Sequence, residues 1–89
     1  MKLDPRTHAA RGDLADVRLA EQVFAPHYAQ AIGCHVTRPT PLRAAPGGEA
    51  LVELMAGDAF ELLELAGGNA WGIAPGHGLV GYCDRTALA

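Results

Sequence analysis

The stretch Asn69-Ala70-Trp71-Gly72-Ile73-Ala74-Pro75-Gly76-His77-Gly78-Leu79-Val80-Gly81-Tyr82 leaves this chain few ways to fold. Two short apolar runs flank a turn built from Pro75, Gly76 and Gly78. Proline pre-sets φ for the first central residue of a turn, and glycine reaches positive φ without a Cβ clash. The pattern predicts two strands joined tightly. Trp71 is the only tryptophan, and its place at the head of a strand predicts a large apolar body pinned against a small core. Gly81 interrupts a strand that would otherwise carry a side chain, which predicts a bulge or the close approach of another backbone.

A chain of 89 residues makes one domain, and at this size roughly two-thirds of the unfolded surface is buried, so the core is limited. A formal net charge of −3, with the basic residues scattered, argues against a nucleic-acid partner, which needs a basic face for phosphate. No apolar run approaches the ~20 residues of a membrane span. The opening MKLDPRTHAARGD lacks the apolar segment of a signal peptide, so a soluble, cytoplasmic chain is expected.

Two cysteines, Cys34 and Cys83, are too few for a disulfide framework and read as buried reduced thiols. A structural zinc site shows close ligand pairs such as C-x₂-C, and none is present, so neither metal nor cofactor is expected. His8, His27, His35 and His77 have no mutual spacing that implies a metal or a proton relay and read as surface residues. Neither cysteine shows the helix N-terminus or basic surround that activates a thiol. On these residues the chain is not itself an enzyme.

Residues 1–32 read as an arm followed by a short helix. Asp13 can cap it, Asp16 adds favourable charge to its first turn, and Leu14 and Val17 mark one face, giving a helix from about Leu14 to about Ala20. So short a helix must dock on the rest of the domain. Val23, Phe24 and Tyr28 follow around Pro26, which favours an extended path. Residues 33–89 change texture to short strands and turns. Cys34 to Arg38 alternates, Pro39 and Pro41 break the ladder, and Leu42 returns to the core. Ala44 to Glu49 is turn material. Ala50 to Met55 is a strand, Gly57-Asp58 a sharp turn, and Ala59 to Leu65 the longest strand, joined through Gly67-Gly68-Asn69 to the Trp71 strand. Asp84 to Leu88 closes as one helical turn. The expected fold is mainly β, a small SH3-like barrel of five or six short strands preceded by the arm and helix. Leu42, Leu54, Phe60, Leu62, Trp71, Val80 and Leu88 form its expected core.

The runs T-P-L-R-A-A-P, L-V-E-L-M-A-G-D-A-F-E-L-L-E-L, N-A-W-G-I-A and G-H-G-L-V-G-Y-C resemble a bacterial SH3 (SH3b) domain. Leu42, Arg43, Pro46, Leu54, Gly57, Asp58, Trp71, Gly81 and Tyr82 stand at its signature places. With Asp4-Pro5, Arg11 and Asp13-Leu14-Ala15, the chain further resembles the N-terminal region of dipeptidyl-peptidase VI-like NlpC/P60 murein peptidases. It departs from that pattern at Ala56 and Leu79, where aromatic residues are common. The resemblance implies a non-catalytic accessory domain of a cell-wall peptidase. Its partner is an NlpC/P60 catalytic domain in the same polypeptide, and it borders the active site and helps select murein peptides with a free N-terminal L-Ala. On this resemblance Glu53, Asp58 and Tyr82 are the candidate substrate-binding residues, because a carboxylate can receive the peptide ammonium. A free-standing peptide-binding or assembly module, using exposed Phe24, Tyr28 and Tyr82, is the alternative.

Overall fold

The computed structural model describes Arg6, Thr7, Ala9, Leu14–Asp16, Arg18 and residues 27–89. Its body is mainly β, a six-stranded antiparallel sheet. Two short strands, β1 (Leu14–Asp16) and β2 (His27–Ala29), pair in parallel apart from it. The sheet contains β3 (Ile32–His35), β4 (Thr40–Arg43), β5 (Ala50–Leu54), β6 (Ala59–Ala66), β7 (Asn69–Ala74) and β8 (Leu79–Asp84). Their order across it is β3-β6-β7-β8-β4-β5. A 3₁₀ turn, Arg85–Ala87, follows, capped by the Asp84 side chain, which accepts from the Thr86 N–H. Leu88 then bridges to Val36, and His35 and Ala89 exchange two backbone hydrogen bonds of 2.9 Å each. The end of the chain thus covers part of the outer edge of β3.

The apolar runs of β7 and β8 are explained by burial on both faces. Ala70, Ala74 and Cys83 point into one cluster with Val36, Leu42, Leu54 and Phe60, against which Leu62 and Leu88 pack. Trp71 and Val80 alternate with them and point into a second cluster with Ala9, flanked by Leu14, Leu63 and Tyr82. A period of two distributes neighbouring side chains between the two faces. Where the register shifts between Leu62 and Glu64, β6 sets both Leu63 and Glu64 opposite Trp71. The bulge leaves Leu63 without a ladder partner of its own, and its side chain packs in the cluster of the indole. Gly67 and Gly68 alone connect β6 to β7, with φ +59° at Gly67, the backbone that a two-residue II′ hairpin demands.

Gly81 is a close approach and not a bulge. Its pairing with Gly72 continues the β7–β8 register without interruption, and a Cβ on it would lie 2.5 Å from the Arg43 carbonyl oxygen. Real Cβ atoms do not come that near, so β4 can cross β8 here only over a glycine.

Three expectations need correction. Leu14–Asp16, assigned from its capping signals to a helix, is strand β1, paired Leu14↔His27, Ala15↔Tyr28 and Asp16↔Ala29. Residues this few have no helical stability of their own, so pairing and the docking of Leu14 beside Trp71 decide the conformation. Of the remaining expected helix only Arg18 lies within the described residues, and it is in 3₁₀ conformation; Val23 and Phe24 lie outside them. Pro41, expected to break a ladder, stands inside β4 opposite Glu53. This is tolerated because β4 meets β8 at Arg43↔Tyr82 only, so no partner on that side needs an N–H from Pro41. Cys34, read as buried, is half-exposed on β3, while Cys83 is buried; both are free thiols.

An ion pair between a buried carboxylate and an exposed guanidinium ties β1 to the sheet. Asp16 is 2% exposed, and its carboxylate accepts from the Arg18 backbone N–H at 3.0 Å and from the Arg18 guanidinium. Arg18 also reaches Glu61 on β6 at 3.0 Å. Burial pushes the Asp16 carboxyl up, but the Arg18 hydrogen bonds and charge outweigh it, and its pKa is lowered. Such a carboxylate stays ionised and keeps its partner in place. Among the described residues no helix is long and apolar enough to cross a membrane.

Candidate functional site

The strands create an opening where β4 leaves β8. Arg43↔Tyr82 is their single pair, and beside it lies an open cleft of about 540 Å³ lined in part by Arg38 to Pro41. Arg38, Arg43, Asn69, Tyr82 and Asp84 line it with Pro39 and Pro41. Arg38 donates to Asp84 Oδ2 at 3.1 Å and to Thr86 Oγ1 at 2.8 Å. Arg43 donates through Nη1 to the Gly48 carbonyl at 2.9 Å. Each guanidinium is therefore oriented by the fold. Tyr82 is half-buried, its ring centroid 6.5 Å from that of Trp71 and tilted by 38°, so the buried indole supports the rim from beneath. The Thr86 backbone N–H and hydroxyl, and then the charge of Arg38, hold the Asp84 carboxyl below its ordinary value. Two arginines against one aspartate make the cleft net positive in a chain of net −3.

The three substrate-binding candidates do not converge. Tyr82 lies in the cleft. Glu53 is exposed on β5 and pairs with Pro41, which puts it one strand outside the cleft, beside a residue that lines it. Asp58 does not line the cleft. It accepts from the Met55 N–H at 2.9 Å and meets His77 Nε2 at 3.2 Å, fastening the turn before β6 to the turn before β8. The side chain of Tyr28, like all of Phe24, lies outside the described residues. Sequence reasoning missed Arg38, Asn69 and Asp84. Arg43 was noted only as a family position, and the pairing that opens the cleft joins segments some forty residues apart.

The core candidates fall as follows. Leu42 and Leu54 are fully buried, Phe60, Trp71 and Val80 nearly so, and Leu62 and Leu88 pack partly buried against the first cluster. Burial first, then the nearby Asp84 and Cys34, pushes the Cys83 thiol up to about 11. That is the reverse of the depressed pKa an attacking thiolate requires. Among the described residues no group of three or more metal-ligating side chains gathers.

The Asp58 contacts give an acid-sensitive fastening. The Met55 N–H, then the His77 hydrogen bond, lower the Asp58 pKa. A depressed folded pKa stabilises the fold above the ordinary carboxylate range, and the contribution is lost as pH falls through the folded value. Asp58→Asn is expected to lower the urea midpoint at pH 7 and to differ much less from wild type near pH 3. A midpoint difference independent of pH would rule out ionisation as the source.

Compared with family models, with curated proteins and with solved structures, the chain matches none.

Proposed function

We propose that this chain is an SH3b-like barrel serving as the non-catalytic accessory domain of an NlpC/P60-type cell-wall peptidase, where it helps select murein peptides with a free N-terminal L-Ala. The barrel reading is supported by the short strands of one antiparallel sheet, the 3₁₀ turn after β8 and the Val36–Leu88 bridge. The observation that carries the functional reading is the common outer face of β5, β4 and β8, where exposed Glu53 stands beside Pro41 and Pro41 shares the cleft with Tyr82. An acceptor carboxylate next to a supported aromatic rim suits a peptide ammonium and the short side chain behind it. The rest of the pocket is assigned to the catalytic domain.

In the polypeptide carrying that catalytic domain, Glu53→Gln should reduce kcat/KM for peptides with a free N-terminus by about tenfold or more, the consequence of losing a hydrogen bond to a charged group. Acetylated peptides should be cleaved equally by wild type and variant, and stability should be unchanged because Glu53 is exposed. If the variant keeps the wild-type ratio between free and acetylated peptides, Glu53 does not read the ammonium.

A further inference from the structure

We propose that the β4–β8 cleft binds a carboxylate at the end of a peptide, with Arg43 as the residue that receives it. The inference rests on reading this face as a binding face, and not on the identity of any catalytic partner. The cleft's volume of about 540 Å³ falls in the usual range for ligand sites. Its two cations differ. Arg38 is compensated by Asp84 at 3.1 Å. Arg43 meets no carboxylate among the described residues, and its one hydrogen bond there goes to a neutral carbonyl, that of Gly48.

A guanidinium carries five N–H donors in a planar fork, so the bond from Nη1 fixes the group and leaves donors for a ligand. Held in this way it loses little freedom on binding. The neighbours suit a peptide end. Tyr82 stands directly across from Arg43, Asn69 brings an amide to the same wall, and Pro39 and Pro41 line it with rings that have no N–H to satisfy. Asp84 decides the class of anion. Its carboxyl is kept ionised by Thr86 and Arg38, so a dianionic phosphate would meet a fixed negative charge. A carboxylate carries one charge and matches the arginine fork in bidentate geometry.

The test is NMR titration of the ¹⁵N-labelled chain with N-acetyl-L-alanyl-L-alanine and with its C-terminal amide. The acid should shift the Asn69 side-chain and Tyr82 backbone signals and bind about tenfold or more tightly than the amide, as expected for a hydrogen bond to a charged group. Arg43→Gln should abolish the preference and Arg43→Lys should retain part of it, with Trp71 emission reporting that both variants are folded. Glu53→Gln should leave the preference unchanged, which separates this site from the proposed reading of the ammonium. Equal shifts by acid and amide, no shift by either, stronger competition by inorganic phosphate than by acetate, or a folded Arg43→Gln that keeps the preference would each overturn the assignment.

Discussion

Replacing Trp71 by alanine is expected to destabilise the domain by about 3–5 kcal/mol, the cost of deleting a large buried aromatic. The ring is 4% exposed and holds together residues from distant parts of the chain: Ala9 from the arm, Leu14 from β1, Leu63 from β6, and Val80 and Tyr82 from β8. Apart from Ala9, these neighbours belong to separate, hydrogen-bonded strands, which limits how far they can close over the space. The tilted contact with Tyr82 contributes about 0.5–1.5 kcal/mol beyond burial. For a domain of this size each kcal/mol moves Tm by about 4–8 °C, so the variant should melt more than 10 °C below wild type, by about that scale. Trp71→Phe, which keeps an aromatic body, should lose less than half as much. A shift of only a few degrees for Trp71→Ala would mean that the arm and the sheet do not depend on the indole.

Turn chemistry is the part of this fold that sequence reveals directly. Gly67-Gly68 and Pro75 to Gly78 announce where strands reverse, because few other residues accept those backbones, and the hairpins on either side of β7 follow. Gly81 could likewise be read as a bulge or a close approach. The register decides between them, and register is a long-range property. Gly72 faces Gly81 across the ladder and carries an even tighter approach, yet nothing in its local sequence separates it from a turn glycine.

The first strand shows the opposite limit. Asp13, Leu14, Val17 and Asp16 carry helix-start signals, and Asp16 does satisfy a nearby backbone N–H, that of Arg18, which is in 3₁₀ conformation, but Asp16 itself ends the extended β1. Local chemistry fixed the contact and tertiary pairing fixed the conformation. The cleft was illegible for the same reason. Tyr82 stands out as an aromatic after glycine, whereas Arg38, Arg43 and Asp84 become a group only when β4 crosses β8 and the 3₁₀ turn brings Thr86 back to meet Arg38.

Gly72→Ala is expected to be at least as damaging as the loss of Trp71, although it adds a single methyl group. A Cβ at this position would lie 2.1 Å from the Glu61 carbonyl oxygen and 2.9 Å from the Phe60 ring. A flexible side chain could swing aside, but the carbonyl belongs to β6, the strand that pairs with β7 as Glu61↔Ile73 and Leu62↔Gly72. Relief therefore requires the paired strands β6 and β7 to separate, next to a buried phenylalanine that is 1% exposed. Ordinary overpacking costs about 1–3 kcal/mol through shifted side chains. A backbone obstacle places this variant among the exceptional cases above about 4 kcal/mol, against a total of about 5–15 kcal/mol for a typical domain. Gly76→Ala is the matched control: its Cβ would meet nothing within 4 Å and its φ is not positive, so it should change stability by no more than about 0.5 kcal/mol. Urea midpoints of the two variants measure the difference. If Gly72→Ala unfolds at the same urea concentration as Gly76→Ala, β6 and β7 do not approach each other as closely as their ladder requires.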